Sequence, residues 1–226
     1  MKRFLLALVL VFWSNTAWSS ELWVMLLDLS GSMGDQKTWS PLARNLSQIE
    51  SVVGSADKET TILVIGFGRR SDTPLLKAVM PKQAGPQEKY LKATRQAAIA
   101  KLKENLSVRI AGVDRSKSEI HGAIMRAARM FAESDRAKKL YIFSDMLDNE
   151  TFGLSLQKLA VREIMPPSGI TYPDLRGVTV VCRSTFADPD VVNTRQVETA
   201  IARLKAFWTD YFRQTGGTLA EYRTSY

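Results

Sequence analysis

What most constrains this chain of 226 residues is an alternation. Short apolar runs of strand length, 22–27 (LWVMLL), 60–66 (TTILVIG), 140–144 (LYIFS) and 177–182 (GVTVVC), are separated by stretches whose apolar residues recur at helical spacing. A run that is apolar at consecutive positions, not at alternate ones, reads as a strand buried on both faces. A further short strand is predicted over 75–80, after a turn at 70–74. Leu42, Leu46, Ile49 and Val53 mark a helix with Ser40 as N-cap and Pro41 at its first position, stopped at Gly54. Pro86 opens a long helix to about residue 106, and Ile120, Ile124, Ala127 and Phe131 stripe the next. Residues 154–164 read as a fourth helix ended by Pro166-Pro167. Val197, Ile201, Leu204, Trp208 and Phe212 mark a last one, closed by Gly216-Gly217. Such alternation argues an α/β fold, doubly wound, with a mostly parallel central sheet flanked by helices on both faces. No internal repeat or Gly/Ser linker interrupts it, so residues 20–226 are expected to form a single domain.

Residues 1–19 stand apart. Lys2 and Arg3 precede ten consecutive apolar residues, 4–13, followed by polar Ser14-Asn15-Thr16 and then Ala17-Trp18-Ser19. That order describes a secretory signal peptide. Ten residues of helix reach about 15 Å, half a bilayer core, so cleavage is favoured over a retained anchor. No cysteine lies near the cut, which excludes a lipid anchor. The expected location is periplasmic or secreted, and cleavage lowers the formal charge of +8 by two. The remaining basic residues are scattered without a run of five, which reads as solubility. At most a weak association with an anionic surface follows, and no nucleic-acid partner.

Composition narrows the chemistry. Apolar residues at 45% and charged residues at 24% exclude a disordered chain. One Cys and one His exclude an intrachain disulfide and any Cys/His zinc cluster. Cys182, ending a predicted strand, reads as a small core residue.

In α/β folds of this kind ligands bind beyond the carboxyl ends of the strands. The first predicted strand runs into Asp28-Leu29-Ser30-Gly31-Ser32, a carboxylate and two hydroxyls at alternate positions of a tight turn, with Gly31 and Gly34 to let the backbone bend. The strand at 140–144 ends in Ser144 and is followed by Asp145 at the same edge. Oxygen-only donors suit a hard cation, not zinc or copper. An EF-hand loop is excluded, because its sixth and twelfth positions would be Met33 and Trp39. Gly66-Phe67-Gly68 lacks the third glycine of a dinucleotide fingerprint, and no phosphate-loop motif is present.

Asp28-x-Ser30-x-Ser32 after an apolar strand resembles the metal-ion-dependent adhesion site of von Willebrand factor A domains. That family adds a loop of the form Thr-acid-Ile-x-x-Ala-aliphatic; here the loop reads Ser118-Glu119-Ile120-His121-Gly122-Ala123-Ile124, with serine in place of threonine. Its second aspartate usually sits in Thr/Ser-Asp-Gly; here the residues are Ser144-Asp145-Met146. Serine loses the methyl that stiffens χ1, and Met146 is expected to set a bulky group beside the site. Ser116 is a fallback for the third hydroxyl. The resemblance covers nearly the whole chain after residue 19. It implies a site of Asp28, Ser30, Ser32, Ser118 and Asp145 for Mg²⁺, or another divalent cation such as Ca²⁺ or Mn²⁺. The hydroxyls of Ser30, Ser32 and Ser118 would touch the metal and the two aspartates would act largely through water. An open coordination position would then accept an Asp or Glu of a partner protein.

Three functional readings follow. The first is a metal-dependent protein-binding module. The second is a non-catalytic scaffold subunit of an envelope or secretion assembly that uses the fold without metal. The third is a hydrolase using a serine and His121, which the absence of a nucleophile-elbow motif disfavours; the chain is not expected to be an enzyme. His121 is expected to pack locally or face solvent, and Trp208, Tyr211 and Phe212 to be core. Asp35, Glu119, Asp148 and Glu150 are read as solvated loop acids near the site.

Overall fold

The computed structural model describes residues 20–34, 40–82, 88–186 and 194–225. The predicted signal peptide, Asp35 and Pro86 lie outside these residues. Strands β1 (Glu21–Asp28), β2 (Thr61–Gly68), β3 (Ser71–Val79), β4 (Ala137–Ser144), β5 (Val178–Thr185) and β6 (Thr218–Ser225) form one sheet in the order β3-β2-β1-β4-β5-β6. Every neighbouring pair is parallel except β2 with β3. The connections are helices α1 (Pro41–Gly54), α2 (Glu88–Arg109), α3 (Ile120–Ala132), α4 (Leu156–Val161) and α5 (Thr194–Thr215).

The continuous apolar runs place the core on both faces. Along β1, Trp23, Met25 and Leu27 face a cluster shared with Leu42, Ile49 and Val53 of α1 and Leu102 and Leu106 of α2. Leu22, Val24 and Leu26 face the opposite cluster, with Ile120, Ile124 and Phe131 of α3 and Leu204, Trp208 and Phe212 of α5. The doubly wound α/β architecture is thus present, and Trp208, Tyr211, Phe212 and Cys182 are core as expected. Helix α1 begins as read, with the Ser40 hydroxyl accepting the Ala43 N–H at 3.0 Å.

Three elements depart from the sequence reading. β3 begins at Ser71, because it pairs antiparallel with β2 directly across the Arg69-Arg70 turn. The fourth helix is only Leu156–Val161: Ser155 caps it by accepting the Lys158 N–H, and Arg162 has already returned to extended backbone. β6, absent from the sequence reading, pairs with β5 at the edge of the sheet and exposes or half-exposes every residue, so no apolar run announces it. Among the described residues no helix is long and apolar enough to cross a membrane.

Candidate metal centre

β1 and β4 are adjacent central strands, and the chain leaves β1 toward β2 on one side while β4 continues toward β5 on the other. Their carboxyl ends therefore form the switch point of the sheet, where two loops diverge and leave a crevice. Asp28 is the last residue of β1 and Asp145 the first after β4. The segment before α3 brings Ser118 to the same crevice.

The five predicted residues meet there. The Asp28 carboxylate accepts the Ser30 N–H at 2.8 Å on one oxygen. Its other oxygen accepts the hydroxyls of Ser118 at 2.8 Å and Ser144 at 2.6 Å. Ser32 donates its hydroxyl to Asp145 at 2.7 Å, and Ser30 Oγ lies 3.1 Å from Ser32 Oγ. Because Ser32 has one proton and Asp145 receives it, Ser30 is the donor in that last bond. Each hydroxyl thus directs its proton to a neighbour and keeps lone pairs for another interaction. Asp28, Ser30, Ser118 and Asp145 are 0%, 3%, 1% and 5% exposed, while Ser32 is exposed, so the crevice opens to solvent beside Ser32. Ser116 is also exposed, and its N–H is turned onto Asp114, so Ser118 is the hydroxyl that belongs to the cluster.

Burial dominates the electrostatics. It pushes the Asp28 carboxyl above its ordinary value and the Asp145 carboxyl up to about 7, with the negative charge of Asp28 adding to the rise at Asp145. The hydroxyl and N–H donors pull both back only in part. Two buried like charges that repel across a cluster of oxygen donors would be relieved by a small cation between them. The donor set is all oxygen and fits a hard divalent ion. Among the described residues no group of three or more His, Cys, Asp or Glu is placed to hold a metal ion, so any such site would rest on these hydroxyls together with two acids.

Several residues that hold the site went unread in the sequence. Ser144, fully buried, reaches Asp28; its place at the end of a strand, one residue before Asp145, was the available signal. Arg115 donates Nε–H to the Leu29 carbonyl at 2.6 Å and reaches the Ser30 and Gly34 carbonyls through Nη2. The Gly31 N–H returns to the Arg115 carbonyl at 2.7 Å, and a Cβ on Gly31 would stand 3.3 Å from that oxygen. Gly34, read in the sequence as a point where the backbone bends, has φ +71°, a left-handed turn that glycine adopts at least cost. Asn149 accepts the Ser118 N–H at 2.9 Å, and the Ser118 carbonyl accepts the Glu150 N–H at 3.2 Å.

Several expectations need correction. Asp148 is not a solvated acid: it is fully buried and accepts the His121 N–H at 2.7 Å and the Thr151 N–H at 2.8 Å. It supplies, from another loop, the cap that Glu119 does not give to α3. Its burial pushes the carboxyl up to about 6. Met146 does not stand beside the site. Its φ of +62° turns the side chain into the core under α3 and α5, where it is fully buried and its carbonyl accepts the Trp208 indole N–H at 2.8 Å.

Glu119 and Glu150, also read as solvated loop acids, are instead paired at the rim, with side chains only 19% and 10% exposed. Glu119 accepts the Arg70 N–H at 2.8 Å, and Glu150 meets Arg69, Arg70 and Lys117 at 2.8–3.3 Å, which holds its carboxyl below the usual range. His121 is half-buried with Nδ1 2.7 Å from the Tyr211 hydroxyl, and burial lowers its pKa. Ser118 and His121 spend their hydrogen bonds on different partners, Asp28 and Tyr211, and so do not form a nucleophile–base pair.

No protein-family model matches the chain, and no curated protein sequence matches it. Solved structures do. The chain is similar to BatB from Bacteroides thetaiotaomicron at 15% identity and TM-score 0.47, covering 92% of each chain. It is similar to a von Willebrand factor type A protein from Catenulispora acidiphila at 12% identity and TM-score 0.47, over 88% of this chain and 42% of that one. It is also similar to the ArnB paralog VWA2 from Sulfolobus acidocaldarius at 13% identity and TM-score 0.43, over 74% of this chain and 35% of that one.

Proposed function

We propose that this chain is an exported protein-binding module whose crevice holds one divalent cation, Mg²⁺ or another hard ion such as Ca²⁺ or Mn²⁺, against which a partner protein docks an Asp or Glu. The observation that carries the reading is the meeting of Asp28, Ser30, Ser32, Ser118 and Asp145 from three segments far apart in sequence, Ser32 and Asp145 being 113 residues apart, around two buried carboxylates. When bound, the ion supplies an electrophilic point with room for one outside carboxylate. The chain's own residues do the rest. Ser30, Ser32 and Ser118 turn their protons toward neighbours, which makes each oxygen a better donor. Asp28 accepts the Ser118 hydroxyl and Asp145 that of Ser32, while Ser30 donates to Ser32, so the two acids hold negative charge one layer behind. The exposed Ser32 marks the side from which a partner approaches. The apolar run and small residues within 1–19 support export.

The scaffold reading draws on a different observation. Every hydroxyl of the cluster already has a hydrogen-bond partner without an ion, so the loops are held in place by the protein alone. Partner capture from envelope extract separates the two. Capture that is lost with EDTA and restored by Mg²⁺ supports the metal bridge; capture indifferent to chelation supports the scaffold.

A further inference from the structure

We infer that Arg115 is a positioning residue of this site, fixing the loop that carries Ser30 and Ser32 and thereby setting the affinity for the cation; this rests on the metal reading above. The loop from Leu29 to Gly34 is anchored by the buried Leu29 and Met33 side chains and by the Leu29 N–H on the Phe67 carbonyl at 2.8 Å, which leaves the turn between them to be fixed. It turns through a single 3₁₀ turn, Gly31–Met33, and the Ser30 side chain makes no capping bond to it. Three of its carbonyls, on Leu29, Ser30 and Gly34, converge on the Arg115 guanidinium, the Ser30 carbonyl also accepting the Met33 N–H at 3.1 Å. The backbone of Arg115 completes the grip by accepting the Gly31 N–H at 2.7 Å. Three residues further on, Ser118 bonds Asn149 through its N–H and Glu150 through its carbonyl. The segment from Arg115 to Ser118 therefore ties the first loop to the third while delivering its own hydroxyl to Asp28.

Arg115 acts on the site in two opposing ways. Its positive charge disfavours a second cation nearby, whereas its fixed fork holds two hydroxyl donors in register. Lysine separates them, because an ammonium keeps the charge but cannot serve three carbonyls in one plane. The inference predicts that geometry wins. Outer residues that orient metal ligands typically change affinity about 10–100-fold when replaced.

The test compares wild type with Arg115→Lys and Arg115→Ala, the lysine variant guarding against a general loss of folding. Mn²⁺ affinity is measured by calorimetry, and Tb³⁺ luminescence lifetime reports water at the bound ion. The same variants are followed by hydrogen exchange of the amides at Gly31, Met33 and Gly34 in EDTA. The expected result is about 10–100-fold weaker Mn²⁺ binding in both variants, a shorter Tb³⁺ lifetime as water replaces hydroxyl, and faster exchange at the three amides. Wild-type affinity in Arg115→Lys, or tighter binding in Arg115→Ala, overturns the inference. A wild type that binds no Mn²⁺ defeats the metal reading instead. In that case unchanged exchange in Arg115→Lys still overturns the clamp, and faster exchange upholds it.

Discussion

Replacing Asp145 by asparagine changes charge with little change in shape, and its effect can be worked out in advance. The Asp145 carboxyl is 5% exposed and titrates at about 7, raised from 3.8 by burial and by the charge of Asp28. The folded state therefore binds a proton between about pH 4 and pH 7 that the unfolded state does not, so the metal-free protein loses stability as pH rises through that window. A shift of about three units corresponds to about 4 kcal/mol, part of which belongs to Asp28 because the two groups titrate as a pair. Asparagine keeps the surrounding bonds. Its oxygen can accept the Leu147 N–H now held at 2.9 Å, and its amide can donate to Ser32, whose oxygen sits 2.7 Å from the carboxylate. The expected outcome in EDTA at pH 8 is that Asp145→Asn is more stable than wild type by about 2–4 kcal/mol, falling to within about 1 kcal/mol at pH 4. Urea denaturation of both proteins across this range measures it. The difference between the two profiles cancels Asp148, whose raised pKa acts in the same direction, and His121, whose lowered pKa acts in the opposite one. Mg²⁺ at about 1,000 times the wild-type Kd adds about 4.1 kcal/mol to wild type and less to the variant, which narrows the gap. An Asp145→Asn protein less stable than wild type in EDTA at pH 8 refutes this account of the buried pair.

Other perturbations follow from the same geometry. Met146→Gly relieves a left-handed backbone worth about 1–2 kcal/mol but deletes a fully buried side chain worth about 2–5 kcal/mol, so the variant is expected to be less stable in denaturant melts. Trp208→Phe leaves the Met146 carbonyl without its indole donor and should cost about 1–3 kcal/mol in the same measurement, with weaker metal binding because that carbonyl follows Asp145 directly. Ser118→Ala should weaken Mn²⁺ binding measured by calorimetry, whereas Ser118→Thr, which keeps the hydroxyl and stiffens χ1, should preserve it.

The fold was legible where burial on both faces wrote itself as continuous apolar sequence. β1, β2, β4 and β5 carry that signature because each is an interior strand of a parallel sheet covered on both faces. β6 is an edge strand whose residues are exposed or half-exposed, so TLAEYRTS carries no apolar run and the sequence assigned no element after Gly217. The convergence of the candidate residues was legible for a related reason. Asp28, Ser30, Ser32 and Asp145 follow apolar strands directly, and strand ends are where such sheets bind ligands. The residues that hold the site were not legible. Arg115 acts through backbone carbonyls 81–86 residues away, and nothing in a lone arginine's neighbours announces such partners. Asp148 looked like a loop acid because its burial depends on His121 and Thr151 offering their N–H groups, which only the folded loops bring to it. Met146 looked like an obstruction because its position in the motif gave its neighbourhood but not its φ.

The most direct measurement of the central claim is the Mg²⁺ dependence of the unfolding free energy of the chain, wild type beside Asp28→Ala. The account predicts a gain of about 2.7 kcal/mol in wild type at about a hundred times the Kd, and no gain in the variant. A wild-type unfolding curve that stays the same from EDTA to saturating Mg²⁺, Ca²⁺ and Mn²⁺ would contradict it.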